Sequence, residues 1–239
     1  MQSALLWYEL FTSTLEGMGF VLNPYDLCVA NKIINGKQCT ICWYVDDLKI
    51  SHITVKVVDD VIAAIETKFG KMTVNRGNKH TYVGMNIEFI GKKVQILMID
   101  HLKEAIEDFG EPIPTEKVNS PAMRGLFVLD KNAPLLDKER GDRYGSIVGK
   151  LLFVSKHARP DPSLTISFLC TRVKFPDTSD WQKLKRLLQY IQCTLDMPYT
   201  LSAENGMTIL SSWIDASYAI HHDMRGHTGG AMSFGQVPD

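Results

Sequence analysis

The chain has 239 residues, of which 45% are hydrophobic and 22% are charged, a composition typical of one or two globular domains. Its net charge of −1 and pI near 6.7 carry no overall signature of nucleic-acid binding. No apolar run approaches the roughly 20 residues that span a bilayer, so we expect a soluble, intracellular protein.

The first 70 residues predict a helix, three strands and a second helix. The segment "SALLWYELFTSTLEGMGF" spaces its apolar residues at helical intervals. Two β-rich runs surround Asn35-Gly36, the strongest short signal for a β-hairpin. A third strand follows in "DLKISHI", and residues 54–69 have the pattern of a second helix. The residues of the first helix expected to face the core are Leu5, Tyr8, Phe11, Leu15 and Met18.

Two of the five cysteines, Cys39 and Cys42, have the C-x-x-C spacing of zinc and redox sites. Residues three apart in a strand face opposite sides, which separates the two thiols. We therefore favour buried strand thiols over a metal or redox centre. The odd number of scattered cysteines also argues against a disulfide framework.

The middle of the chain predicts a second hairpin and then an irregular stretch. "TYVGMNIEFIGKKVQILMI" has strand character on both sides of Gly91-Lys92, and a short helix follows near "DHLKEAIEDF". Residues 111–137 are rich in proline and polar residues, which predicts a linker between lobes.

Three helices are predicted at about 142–157, 163–173 and 178–193, before a tail of strand character. Residues 138–190 contain eleven Lys and Arg but five Asp and Glu, a net charge of +6 that leaves −7 for the rest. Such a basic helical block suits phosphate binding. A solvated helix face explains the same charges equally well.

Asp46 and Asp47 follow a run that reads as a buried strand. Adjacent strand residues face opposite ways, and an unpaired buried carboxylate is costly, so the pair lies at a turn or meets a cation. A hairpin tip would expose both carboxylates to Mg²⁺ or Mn²⁺. Two such ions about 4 Å apart can activate a 3′-hydroxyl and stabilise leaving pyrophosphate. Two adjacent aspartates alone are weak evidence for a metal site, because Asp59 and Asp60 form a second such pair on a predicted helix face.

Six segments follow one another in order: "QSALLWYELF", "WYVDDLKIS", "TYVGMNIEF", "YGSIVGKLLFVSKHARPDPSLTISFL", "WQKLKRLLQYIQCT" and "WIDASYAIHHDMRGHTGGAMSFG". Together they resemble the reverse transcriptase and RNase H region of copia-type retrotransposon polyproteins. The resemblance implies an α+β fold with four parts. These are a partial polymerase palm with the primer grip at 1–110, a linker at 111–137, a helical thumb or connection at 138–200, and the first strands of an RNase H-like α/β domain at 201–239.

The resemblance also implies an RNA-directed DNA polymerase segment with nucleotidyltransferase chemistry. Its cofactors would be two Mg²⁺ or Mn²⁺ ions. Its partners would be an RNA template, a DNA primer, dNTPs and the rest of the polyprotein. We expect no association with a membrane. We expect it in a cytoplasmic particle or the nucleus.

Each implied site residue matches a position of the family's motifs. Asp46 matches the catalytic aspartate that binds both metals, Asp47 its neighbour, and Asp215 the first acid of RNase H. Each residue matched to nucleic acid or nucleotide also has a plain structural explanation, as a helix start, strand tyrosine, hairpin residue or solvated helix face. The residues matched to primer or nucleotide are Gln2, Ser3, Tyr44, Val45, Tyr82, Val83 and Gly84, and the expected backbone contacts are Lys183, Lys185 and Arg186.

The family needs parts that we expect outside residues 1–239: a further aspartate before Gln2, the fingers, and three later RNase H acids. We therefore expect the isolated chain not to polymerise. The alternatives are a non-catalytic nucleic-acid-binding remnant and an inert retroelement product.

A cluster of histidines, His221, His222 and His227 with Asp223, admits a zinc site. We favour a polar hairpin loop, because the resemblance supplies no metal there.

Overall fold

The computed structural model describes residues 2–203 and 208–235, apart from the side chain of Gln2. The chain forms two compact units, Met1–Gly77 and Asn78–Asp239. Within the described ranges, no helix combines the length and the apolar character that crossing a membrane requires.

The first unit consists of helices on an antiparallel sheet, as predicted. Its helices are α1 (Gln2–Gly17) and α2 (Val55–Phe69), and its strands are β1 (Val21–Leu22), β2 (Val29–Ile34), β3 (Lys37–Tyr44) and β4 (Asp47–Ser51). The strands lie in the order β1-β2-β3-β4. Asn35 and Gly36 form the two-residue turn between β2 and β3 with φ of 54° and 72°, values that this residue pair tolerates well.

The core of the first unit is built around the ring of Phe11. This ring meets Trp43 at 5.2 Å and Phe69 at 5.6 Å, both edge to face. Strand β3 alternates as predicted, because Cys39 lies in the core and Cys42 belongs to the opposite, half-buried face. The two thiols therefore point to different sides of the sheet.

One residue of the predicted apolar face of α1 is not in the core. Leu5 is 58% exposed, whereas Phe11 and Leu15 are fully buried. The apolar stripe is packed only from Trp7 onwards, where the aromatic cluster begins. Helical spacing predicts which face is apolar but not how far a neighbouring element extends along it.

The second unit combines a four-stranded sheet, four helices and a hairpin. The sheet has the order β5 (Lys79–Tyr82), β6 (Met85–Ile90), β7 (Lys93–Leu97), β8 (Tyr199–Ser202). The helices are α3 (Ile99–Asp108), α4 (Lys138–His157), α5 (Ser163–Arg172) and α6 (Thr178–Cys193), and the hairpin is β9 (Ser211–Ser217) with β10 (His227–Ser233). All strand pairs are antiparallel, so the architecture is α+β.

The four helices of the second unit share one core. Phe109 stacks on Trp181 with ring centroids 4.6 Å apart, and the buried Tyr144 hydroxyl donates to the Leu169 carbonyl at 3.0 Å. Burial raises the pKa of Tyr144 far above its usual range. Helix α6 begins at a capping box in which Asp177 and Asp180 accept from each other's backbone N–H.

Residues 111–137, which we call the strap, contain no helix or regular strand but pack closely on the helices. Leu126 is 6% exposed within the helical core. The side chain of Gln189 on α6 donates to the Glu116 carbonyl at 2.9 Å. Proline and polar residues prevent a helix or strand from forming, but they do not prevent packing. The linker-like sequence of the strap therefore does not mean that this segment is detached from the helices. The first compact unit ends at Gly77 and the second begins at Asn78.

Truncation of Leu126 tests the packing of the strap. Leu126→Ala removes a side chain buried in the helical core, so we expect the free energy of unfolding to fall by about 2–5 kcal/mol in urea titrations. The control Leu135→Ala changes a strap side chain that is 64% exposed, and we expect a change within about 0.5 kcal/mol. Similar small effects for both variants would show that the strap is not part of the core.

Candidate functional site

Asp46 and Asp47 lie at the tip of the β3–β4 hairpin. Tyr44 pairs with Asp47, which leaves Val45 and Asp46 as a two-residue turn. The side chains of all four residues are exposed. The hairpin thus exposes both carboxylates to solvent. They lie at the connection between two strands, as the sequence pattern predicted.

The backbone of this turn is strained at Val45. Its φ is 54°, a left-handed value that is rare for a β-branched residue and costs about 1–3 kcal/mol. Strand pairing holds the conformation, since Trp43 pairs with Leu48 beside the turn and is anchored on Phe11. Backbone strain of this kind concentrates at functional sites.

The charges of the two acidic pairs in this chain are used differently. Asp59 and Asp60 on α2 form ion pairs with Arg76 and Lys56. Across residues 2–203 and 208–235, no ion pair involves Asp46 or Asp47. Exposed carboxylates without a cation partner are suitable ligands for a hard divalent cation.

The turn offers two carboxylates but no larger ligand set. In the part of the chain that the structure describes, no three His, Cys, Asp or Glu side chains converge as a metal site would require. The donor chemistry at Asp46 and Asp47 fits Mg²⁺ or Mn²⁺, while a site for two ions needs further oxygen ligands.

The residues matched to the nucleotide-contact motif stand at the start of α1. Ser3 is exposed in the first turn of the helix, and the Gln2 side chain lies outside the described part of the chain. Helix α1 is fixed against β3 by the contact of Phe11 with Trp43. The nucleotide role of both residues stays a prediction.

Tyr82, Val83 and Gly84 belong to the second unit, where they form the turn between β5 and β6. Tyr82 pairs with Met85, so Val83 and Gly84 are the central residues, with φ of 51° and 73°. A Cβ atom on Gly84 would lie 2.4 Å from Cε1 of His101 on α3. The missing Cβ atom of Gly84 therefore lets the His101 ring lie close to the turn. A role for Gly84 at a primer stays a prediction.

Asp215 lies in β9, opposite Gly229 of β10. Its side chain is exposed, and Oδ1 accepts a hydrogen bond from the Ala216 N–H at 2.8 Å. The two strands form a separate two-stranded sheet. A metal-binding role for Asp215 stays a prediction.

Most of the cations in the basic block 138–190 are neutralised within the protein. Six of the eleven form ion pairs with acidic side chains, four of them with acids of the block itself and two with α3 or the strap. Among the four, Arg172 pairs with Asp177 and Asp180 at the start of α6. The six are Arg140, Arg143, Lys150, Arg159, Arg172 and Lys183. Sequence-level net charge therefore overstates the positive surface of this region.

Lys183 is a correction to the expected phosphate contacts. It is 6% exposed, its Nζ donates to the Val128 carbonyl at 2.8 Å, and it lies 4.7 Å from the centre of the Phe168 ring. Burial lowers the pKa of this amine. Because the ammonium group is enclosed by the strap and α5, it does not reach a phosphate outside the protein.

Lys185 and Arg186 remain accessible. Both side chains are half-buried, and Arg186 Nε donates to the Ser120 carbonyl of the strap at 3.2 Å. An arginine with one N–H in a backbone contact keeps other donors for phosphate.

The chain is similar to retrotransposon proteins over nearly its whole length. It is 26% identical over 236 residues to a putative transposon Ty5-1 protein of Saccharomyces cerevisiae. This match covers 97% of this chain and 74% of that protein. It is 24% identical over 207 residues to the Ty1-BR Gag-Pol polyprotein of the same yeast. It is 23% identical over 222 residues to the Pol polyprotein of transposon RE2 of Arabidopsis thaliana.

The chain corresponds to a small part of the two polyproteins. It spans 12% of the Ty1-BR protein and 14% of the RE2 protein, in matches that cover 82% and 91% of this chain. No family model and no solved structure matches the chain. The homologues are Ty/copia-type retrotransposon polyproteins, which supports a segment derived from such a polyprotein.

Substitution of Gly84 tests why a glycine stands at the β5–β6 turn. Gly84→Ala combines a left-handed residue, which costs about 1–2 kcal/mol, with a Cβ atom that displaces the His101 ring. Gly91→Ala has the same backbone penalty at a turn of the same sheet but meets no atom within 4 Å. We expect the larger loss of stability in Gly84→Ala by urea denaturation.

The double variant Gly84→Ala/His101→Ala separates the two contributions. Relative to His101→Ala alone, the added alanine then costs only the backbone penalty, as in Gly91→Ala. Equal losses for Gly84→Ala and Gly91→Ala would contradict the contact with His101.

Proposed function

We propose that the chain is a reverse transcriptase segment of a copia-type retrotransposon polyprotein, in which Asp46 and Asp47 contribute to a two-metal nucleotidyl-transfer site. The observation that carries the proposal is the β3–β4 turn. It combines two exposed carboxylates, a strained Val45 and strand pairing that holds both in place. The similarity to Gag-Pol and Pol polyproteins supports the same assignment.

The residues of the turn have distinct tasks in this proposal. Asp46 and Asp47 would hold Mg²⁺ or Mn²⁺, and the bound ions would supply activation of a primer 3′-hydroxyl and stabilisation of leaving pyrophosphate. Asp46 and Asp47 supply hard oxygen ligands. Tyr44 and Val45 flank them and contact the primer end, and Gln2 and Ser3 contact nucleotide or template.

The proposal includes a limit on activity. The described residues provide one pair of carboxylates at the turn and no third ligand that converges with them. Two ions held about 4 Å apart need more oxygen ligands than two side chains offer. We therefore infer that these 239 residues bind a divalent cation at the turn but do not polymerise by themselves.

Paramagnetic broadening by Mn²⁺ tests the cation site. We expect Mn²⁺ to broaden the backbone amide signals of residues 44–48 first in ¹⁵N spectra. Asp46→Asn removes one ligand charge, so about tenfold more Mn²⁺, equivalent to about 1.4 kcal/mol, should be needed for the same broadening. The control Asp59→Asn changes the other acidic pair, whose carboxylate is held by Arg76, and should leave residues 44–48 unaffected.

A primer-extension assay distinguishes a complete site from an incomplete one. With an RNA template, a DNA primer, dNTPs and Mg²⁺, we expect no DNA synthesis that depends on Asp46. Synthesis lost in Asp46→Asn would show that the site is complete and would overturn the inferred inactivity. Mn²⁺ broadening that ignores both Asp46 and Asp47 would overturn the reverse transcriptase assignment of the turn.

A second candidate function is nucleic-acid binding without catalysis. It is supported by the five cations of the basic block that form no ion pair with the described residues. These are Lys138, Lys156, Lys174, Lys185 and Arg186. Lys185 and Arg186 are adjacent on α6 and could contact successive phosphates.

The salt dependence of binding to a primer–template duplex tests these two cations. Each phosphate contact lowers the slope of log K against log salt by about 0.9 on duplex DNA. We expect Lys185→Ala/Arg186→Ala to make the slope shallower by up to about 2 units. The control Lys92→Ala/Lys93→Ala removes the same charge from the β6–β7 turn and should leave the slope unchanged. Binding that does not respond to salt would exclude phosphate contacts.

A further inference from the structure

The most unusual contact outside the proposed site joins two histidines of the second unit. Nε2 of His221 lies 2.6 Å from Nε2 of His227. His221 belongs to the loop between β9 and β10, and His227 is the first residue of β10. Two imidazole nitrogens cannot face each other at this distance with both lone pairs free, so one ring donates an N–H to the other.

The two imidazole rings lie on an aromatic platform. Phe127 of the strap meets the His221 and His227 rings at 5.0 and 5.3 Å, and Phe168 of α5 stacks on His221 at 6.2 Å. The histidines themselves are half-buried, so the platform covers them on one side only. Packing against aromatic rings restricts rotation of the imidazoles and keeps both Nε2 atoms directed at one point.

The backbone also holds both histidines. The His221 N–H donates to the Arg225 carbonyl at 3.0 Å, and the His221 carbonyl accepts from the Met224 N–H at 2.9 Å. His227 pairs with Ser217 in the hairpin. Backbone hydrogen bonds of the loop and strand pairing therefore hold the two histidines close to each other.

We propose that His221 and His227 form a binding site for a borderline divalent transition metal such as Zn²⁺. Neutral imidazole nitrogen is a preferred ligand of such ions, whereas Mg²⁺ prefers oxygen. Two nitrogens about 2.0–2.1 Å from a tetrahedral Zn²⁺ lie about 3.3 Å apart, so the rings separate by about 0.7 Å on binding. Water fills the remaining coordination positions on the exposed side.

In the described ranges no third His, Cys, Asp or Glu converges with the pair, so the two imidazoles are the protein's whole ligand set in this proposal. The site is chemically distinct from the carboxylate pair at Asp46 and Asp47, which is suited to hard cations.

Calorimetric titration of the full chain with ZnCl₂ tests the proposal. We expect one Zn²⁺ per chain, with affinity reduced at least tenfold in His221→Ala and in His227→Ala. The matched control is His222→Ala, which removes an exposed histidine from the same loop. Its affinity should equal that of the parent chain.

Nitrogen NMR of the imidazoles identifies the ligands directly. Zn²⁺ should shift the Nε2 signals of His221 and His227 and leave the other histidines unchanged. The far-ultraviolet circular dichroism of each variant without Zn²⁺ shows whether it has folded. Zinc binding that survives both single variants, or that is lost in His222→Ala, would overturn the assignment. Unshifted Nε2 signals under saturating Zn²⁺ would show that the pair only shares a proton.

Discussion

The Asp180 carboxylate is fully buried, so its charge has to be balanced inside the protein. Arg172 Nε donates to it at 2.9 Å, the Asp177 N–H donates at 3.1 Å, and Lys183 Nζ lies 3.8 Å away. Burial raises the pKa of Asp180, and burial lowers that of Lys183, so enclosure disfavours the charge on both groups. The cluster persists because its members neutralise one another, which fixes α5 against the start of α6.

This constraint extends to the strap and to the surface charge. Lys183 reaches past Phe168 to the Val128 carbonyl, and neighbouring side chains of α6 bind other strap carbonyls. Six of the eleven cations that look like a phosphate-binding block in the sequence form ion pairs within the protein. A nucleic-acid surface on the second unit therefore rests on fewer cations than the net charge of residues 138–190 indicates.

The hairpin turns show where local preference and function diverge. Asn35-Gly36 has residues suited to a left-handed turn, and its backbone is unstrained. Val45 and Val83 adopt similar φ values although β-branched side chains disfavour them. Both valines stand at turns that the family resemblance connects with the primer. Strain held by strand pairing is consistent with turns shaped for a ligand rather than for stability.

Sequence alone determined where the helices lie to within a few residues, the hairpins at Asn35-Gly36 and Gly91-Lys92, and the position of Asp46 and Asp47 at a hairpin tip. These features follow from periodicity and turn chemistry, which act between near neighbours. Tertiary structure decided that Lys183 is enclosed, that the strap packs on α6, and that Gly84 faces His101. It also brought two histidines of one loop together over Phe127 and Phe168. Such contacts join residues far apart in the chain, and they depend on which surfaces meet when the helices pack, which no local pattern records.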